Sequence, residues 1–129
     1  MGSEKIKPII TIERTGCYGS CPVYSASIYL DGTVVYKGEH FVKTVGESRH
    51  RISVKKVNEL VDAFEKAGYF SLKDLYYSNI TCQPSTITSF ELNGRRKRIE
   101  NECAGPRKLE WLENKIDRIA DLRKLIGSR

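Results

Sequence analysis

Alternation of apolar and polar side chains dominates the first half of the chain and predicts β-strands. The pattern covers residues 8–14, 23–30, 33–37 and 40–45, and β-branched residues are frequent in the first segment. Asp31-Gly32 lies between the second and third segments, where it predicts a two-residue type I′ turn. We therefore expect the first half of the chain to fold as an antiparallel β-meander.

A spacing of three and four residues between apolar side chains follows the meander and predicts an amphipathic helix. Ser53 is a suitable N-cap at its start, and Gly68 is a suitable C-cap at its end. Residues 85–92 and 95–100 then form a predicted second hairpin around Asn93-Gly94.

Gly105-Pro106 opens a last helix, because proline loses nothing at the first helical position. Its predicted apolar face consists of Leu109, Leu112, Ile116, Ile119 and Ile126. The expected fold class is α+β, with a β-meander and a second β-hairpin in one antiparallel sheet that two α-helices cover on one face.

The 129 residues predict a single α+β domain over 1–129, with residues 1–5 and 127–129 disordered or derived from cloning. No apolar run reaches the roughly 20 residues of a membrane-spanning helix, and no signal peptide opens the chain. The sequence as it stands therefore predicts a cytoplasmic protein, and removal of an export signal ahead of residue 1 would change that expectation.

The chain has four cysteines, Cys17, Cys21, Cys82 and Cys103. Cys17 and Cys21 lie in the turn between the first two predicted strands. A two-residue loop at 93–94 would place Cys103 opposite Pro84 and roughly 7–8 Å from Cys82 at Cα. If both pairs meet at one end of the sheet, four thiols come together.

Several chemistries fit four such thiols. Zinc or an iron–sulfur cluster would take all four as thiolates, and we expect this slightly ahead of one or two disulfides. Unlinked, packed thiols are the remaining alternative. Cys103 precedes the last helix, where the helix dipole would stabilise a thiolate.

The segments Cys17-Tyr-Gly-Ser-Cys21-Pro22-Val-Tyr24 and Asp31-Gly-Thr-Val-Val-Tyr-Lys-Gly38 resemble an uncharacterised prokaryotic family of domains of unknown function. Its pattern is Cys-aromatic-Gly-x-Cys-Pro-x-Tyr followed by Asp-Gly-x-Val-x-Tyr-x-Gly. The resemblance implies a small α+β module, in many relatives preceded by an export or lipoprotein signal, with no assigned reaction. It further implies that Cys82 and Cys103 are additions peculiar to this chain.

The net charge of +6 is concentrated in residues 93–129, which hold 11 basic and 6 acidic side chains. Arg95, Arg96, Lys97 and Arg98 follow the turn of the second hairpin, with Arg96 placed to pair with Glu91. This stretch and the last helix predict nucleic-acid or ribosome binding as an alternative function. Another partner of this basic surface would be an anionic surface.

Phosphate-loop, nucleophile-elbow and His-Glu-x-x-His motifs are absent from the sequence. We therefore expect a small non-enzymatic domain whose four-cysteine site is structural or redox-active. A thiol–disulfide protein that uses Cys17 and Cys21 is a further alternative, although the predicted context lacks a thioredoxin-like strand–motif–helix arrangement.

Overall fold

Seven strands form one twisted sheet in the computed structural model, which describes residues 7–17, 19–79 and 84–127. The strand order is β4-β3-β2-β1-β6-β7-β5. The elements are β1 Ile10–Arg14, β2 Val23–Ile28, β3 Thr33–His40, β4 Gly46–Arg51, α1 Val54–Lys66, β5 Leu75–Tyr76, β6 Thr86–Leu92, β7 Arg95–Asn101, α2 Arg107–Ile119 and α3 Arg123–Ile126. The predicted α+β fold is confirmed.

One face of the sheet is apolar because its strands alternate, and both long helices pack on that face. Ile12, Ala26 and Tyr36 lie side by side on adjacent strands and are buried. They belong to one core with the apolar stripes of α1 and α2, among them Phe64 and Leu112. Burial of these side chains is the main stabilising contribution to the fold.

The helix caps follow the local sequence signals. Ser53 Oγ accepts a hydrogen bond from the Lys56 N–H at 3.1 Å, as its N-cap position predicts. Gly68 follows α1 with a φ of 71°, in the left-handed region. Pro106 is the N-cap of α2, one position earlier than expected, and α2 ends before Ile126, which lies in α3.

The two predicted type I′ turns have different outcomes. Asn93 and Gly94 both have positive φ, 53° and 81°, so the second hairpin has the predicted turn. The prediction at Asp31-Gly32 is wrong, because Tyr29 N–H bonds to Thr33 O and only Gly32 of the dipeptide has a positive φ. A Cβ at Gly32 would lie 2.1 Å from the Ile52 carbonyl oxygen, which adds a steric requirement for glycine.

The predicted fourth strand at 40–45 is also wrong, since β4 begins at Gly46. The backbone before it turns away at Phe41, which has a φ of 56°. Lys43 and Thr44 then donate their N–H groups to the carbonyls of Ile126 and Leu125 at 3.0 and 2.8 Å. Residues 41–45 thus attach to the end of α3, and the polar segment after them becomes the edge strand.

The aromatic segment after α1 adds an element that its irregular pattern does not predict. A 3₁₀ turn at Tyr69–Ser71 is followed by β5, which pairs in parallel with β7. The sheet is therefore mixed rather than wholly antiparallel. None of the helices among the described residues is long and apolar enough to cross a membrane. Of the ends predicted as disordered or derived from cloning, residues 1–5 and 128–129 lie outside the described residues, whereas Gly127 donates its N–H to the Arg123 carbonyl at 2.8 Å.

Candidate functional site

The turn between β1 and β2 carries the cysteine motif, and the structure closes it with a disulfide between Cys17 and Cys21. The antiparallel ladder below the turn ends at the pair Arg14 and Tyr24. Both cysteines are half-buried, whereas Gly19 and Ser20 at the tip of the turn are exposed. The disulfide is therefore at the surface, at one end of the sheet.

Cys103 lies at the same end of the sheet, just after β7. The predicted register of the second hairpin is confirmed from Leu92–Arg95 to Thr86–Asn101. Beyond it, the Cys103 thiol donates to the Pro84 carbonyl oxygen at 3.7 Å, as expected from that register. Its predicted neighbour Cys82 lies outside the described residues.

The expectation of a stabilised Cys103 thiolate is wrong. Partial burial raises the pKa of this thiol above its ordinary value, and the carboxylates of Glu113 and Glu110 raise it further. Cys103 also precedes α2 by several residues and has a φ of 57°, so it is not part of the helix N-terminus. The thiol form is thus favoured.

A cavity of about 270 Å³ lies between the cysteine turn and the segment that holds Cys103. Cys21 and Cys103 both line it, together with Arg14, Glu113 and Asn114. The cavity forms because β1, β6, β7 and the first turns of α2 meet at this end of the sheet. We name it the cysteine cavity.

Glu113 is the buried acid of the cysteine cavity, with 4% of its surface exposed. Asn101 Nδ2 donates to Glu113 Oε2 at 2.9 Å, and Asn101 Oδ1 accepts from the N–H groups of Ala104 and Gly105 at 3.1 and 2.9 Å. Burial raises the pKa of Glu113 to about 7, although the hydrogen bond from Asn101 and the charge of Arg14 oppose this shift. Near neutral pH the carboxyl group therefore exists in both protonation states.

Arg14 lines the cysteine cavity and links β1 to α2. Its guanidinium donates to Tyr24 Oη at 2.7 Å, Thr86 Oγ1 at 3.1 Å and Asp117 Oδ2 at 2.8 Å. Tyr24 in turn donates to Asp117 Oδ1 at 2.6 Å. Burial by itself would lower the pKa of Arg14, but the interactions with Asp117 and Tyr24 have the larger combined effect. The pKa of Arg14 is therefore raised. The guanidinium is therefore a positive charge held in a fixed position at this end of the site.

The predicted metal site of Cys17, Cys21, Cys82 and Cys103 receives no support. The disulfide withdraws Cys17 and Cys21 as thiolate ligands, because a metal–thiolate bond needs a reduced sulfur. Within residues 7–17, 19–79 and 84–127, three or more ligand-type side chains are nowhere grouped to hold a metal. Neither zinc nor an iron–sulfur cluster is supported.

The basic hairpin segment, residues 95–98, lies at the other end of β7. Arg95 stacks over the Phe70 ring at 4.2 Å, and Lys97 and Arg96 pair with Asp74 and Glu91 at 2.6 and 3.4 Å. Arg98 is exposed. Much of the charge is thus engaged within the protein, and nucleic-acid binding by this segment stays a prediction.

Sequence reasoning missed Glu113 and Asp117 as members of the site. A signal for Glu113 was present, because it follows Leu112 and precedes Ile116 by three positions, on the apolar side of α2. An acid at such a position is either buried or at the edge of the buried stripe. The link from Asp117 to Arg14 has no local signal, since 103 residues separate them.

The fold and the site together define a small α+β domain with a disulfide-closed turn beside an acid-containing cavity. The chain belongs to the family described as domain of unknown function DUF6438, whose profile matches residues 8–120. This confirms the expected membership in an uncharacterised domain family. No curated protein matches the sequence.

Proposed function

We propose that this domain is a thiol–disulfide redox module in which Cys17 and Cys21 are the reversible couple. One observation carries the proposal: Cys21 of the disulfide, the free Cys103 and the buried acid Glu113 line the same cavity. Thiol–disulfide exchange needs an accessible disulfide and an attacking thiolate, and an acid that exchanges protons near neutral pH can protonate the leaving sulfur.

A purely structural role explains the disulfide less well. The bond closes a loop of only five residues, for which the loss of unfolded-state entropy is worth on the order of 2 kcal/mol. The β1–β2 ladder already holds the two ends of the turn together in the folded protein. Both cysteines are also only half-buried, which suits attack by an incoming thiol.

In the proposed reduction, a thiolate of an external dithiol attacks the sulfur of Cys17, and the Cys17–Cys21 bond breaks. The electron pair leaves on the Cys21 sulfur, and the carboxylic acid form of Glu113 supplies the proton. The second thiol of the reductant then attacks the mixed disulfide and releases the Cys17 thiolate, which takes its proton from water. The products are one oxidised dithiol and two protein thiols.

The test is an equilibrium titration in dithiothreitol redox buffers, read by alkylation of free thiols and mass spectrometry. A redox couple should have a reduction potential above about −300 mV, whereas a structural disulfide lies below that value. A potential below it would contradict the proposal. Cys103→Ser, which retains the disulfide, assigns the measured potential to Cys17 and Cys21.

The rate of reduction tests the role of Glu113. Glu113→Gln keeps the hydrogen bond acceptor for Asn101 but cannot donate a carboxylic proton, so reduction near pH 7 should slow by about tenfold. Glu65→Gln, an exposed change of the same charge on α1, is the matched control. Equal rates in both variants would remove Glu113 from the mechanism.

Metal analysis of anaerobically reduced protein separates this proposal from the metal hypothesis. The redox module should hold no stoichiometric metal. About one zinc per chain would instead favour the four-cysteine site of Cys17, Cys21, Cys82 and Cys103.

A further inference from the structure

A second concave surface runs along the solvent side of α2 and is separated from the cysteine cavity by Arg14. It encloses about 640 Å³, within the range of small-molecule sites. We name it the α2 groove, and the residues that matter for its chemistry are Trp111, Asn114, Lys115, Arg118 and, from α3, Arg123. Trp111 and Arg118 each lie three or four residues from both Asn114 and Lys115, so these four share one helix face.

Trp111 supplies a large aromatic surface at one end of the groove. It is the only tryptophan of the chain, and 51% of it is exposed. The Lys115 ammonium lies over this ring, 5.0 Å from its centroid, and forms an ion pair with Glu59 at 3.2 Å. A half-exposed indole offers a stacking surface to another planar ring.

The groove also has positive charge that the protein does not neutralise. Arg14 is paired with Asp117, and Lys115 with Glu59. Arg118 and Arg123 are exposed, and neither has an ion pair within the described part of the chain. Two free guanidinium groups facing one groove favour a phosphate, whose oxygens match their donor geometry.

We propose that the α2 groove binds a nucleotide unit, with the base stacked on Trp111 and the phosphate held by Arg118 and Arg123. Seven residues along a helix separate Trp111 and Arg118 by about 10 Å between Cα atoms, and long side chains span part of that distance. An aromatic platform next to basic side chains is the combination that single-stranded nucleic-acid sites use.

The α2 groove differs from the basic hairpin segment in how exposed its aromatic ring is. In that segment, Phe70 is already covered by Arg95, and two of the four charges are paired. In the α2 groove the Lys115 ammonium lies over the Trp111 ring, but half of this residue stays exposed, and Arg118 and Arg123 have no ion pair among the described residues. The proposal concerns the groove alone and does not depend on the redox state of Cys17 and Cys21.

The single tryptophan makes the test direct, because its fluorescence reports only on the groove. Oxidised wild-type protein is titrated at low salt with adenosine 5′-monophosphate, adenosine, inorganic phosphate and an oligothymidylate. We expect saturable quenching by the monophosphate and weaker binding of adenosine. Inorganic phosphate should compete without quenching. Absence of saturable quenching by both the monophosphate and the oligonucleotide at millimolar concentration would overturn the proposal.

Charge variants identify the phosphate contacts. Arg118→Gln and Arg123→Gln should each weaken binding by about tenfold, as expected for loss of a hydrogen bond between charged groups. Arg107→Gln makes the same charge change on an exposed position of α2 outside the groove and should bind as wild type. An equal effect of all three variants would mean attraction by net charge alone, which contradicts the proposed site.

The same titrations distinguish a free nucleotide from a single-stranded nucleic acid as the ligand. A free nucleotide as the ligand predicts similar affinity for the monophosphate and the oligonucleotide. A single strand predicts much tighter binding of the oligonucleotide with a strong dependence on salt. Either result supports the groove as a nucleotide site.

Discussion

Glu113→Gln should make the stability of this protein nearly independent of pH across the neutral range. The buried carboxyl has a pKa of about 7 in the folded protein, against an ordinary value of 4.5. Between these two values the folded state binds more protons than the unfolded state. The free energy of unfolding therefore falls as the pH rises through this window.

The magnitude follows from the size of the pKa difference. The stabilising contribution of the protonated carboxyl is fully present below pH 4.5 and is lost as the pH rises through about 7. Between pH 5 and pH 8.5 the wild-type protein should lose roughly 2–3 kcal/mol from this group. The glutamine variant accepts the same hydrogen bond from Asn101 and carries no charge, so it should lose little.

Urea unfolding of oxidised protein at several pH values measures this directly, with tryptophan fluorescence or circular dichroism as the signal. Glu65→Gln on the exposed side of α1 is the control and should retain the wild-type pH dependence. The reasoning is refuted if wild type and Glu113→Gln have parallel stability curves between pH 5 and pH 8.5. That result would mean that the carboxyl is ionised in the fold at little cost.

Three further predictions concern stability at constant pH, each measured by urea unfolding. Replacing Cys17 and Cys21 by serine should lower the free energy of unfolding by on the order of 2 kcal/mol, and a loss above ~4 kcal/mol would indicate a structural staple instead. Asp117→Asn, which leaves the Arg14 guanidinium without its carboxylate partner, should cost about 2 kcal/mol, while no loss would mean that solvent replaces the pair. Phe64→Ala should cost ~3–5 kcal/mol because the ring is fully buried against Phe90, and a cost below ~1 kcal/mol would contradict its place in the core.

The errors in the sequence-based interpretation occur where a distant contact outweighs a local pattern. Residues 41–45 have apolar side chains typical of a strand, but the N–H groups of Lys43 and Thr44 bond to the end of α3. The short strand β5 exists because β7 offers a free edge, which no property of residues 75–76 reveals. The register of the second hairpin was predictable because a two-residue turn and an alternating pattern determine it locally.

The same distinction applies to the candidate site. The proximity of Cys103 to Pro84 could be derived from the hairpin register alone, and the structure agrees. The pKa of the Cys103 thiol could not be derived from the sequence, because it depends on burial and on Glu113 and Glu110, which lie on α2. The favoured metal site assumed that four thiols were reduced and together, whereas Cys17 and Cys21 bond to each other.

The sequence by itself determined the first three strands, the two long helices, the caps at Ser53 and Gly68 and the pairing of the second hairpin. These features depend on side-chain periodicity and on backbone preferences within a few residues. Only the tertiary structure decided that Arg14, Cys21, Cys103 and Glu113 line one cavity, and that Trp111, Arg118 and Arg123 line one groove. Such arrangements depend on the packing of elements that are far apart in the chain, and burial in that packing shifts the protonation of Glu113 toward neutral pH.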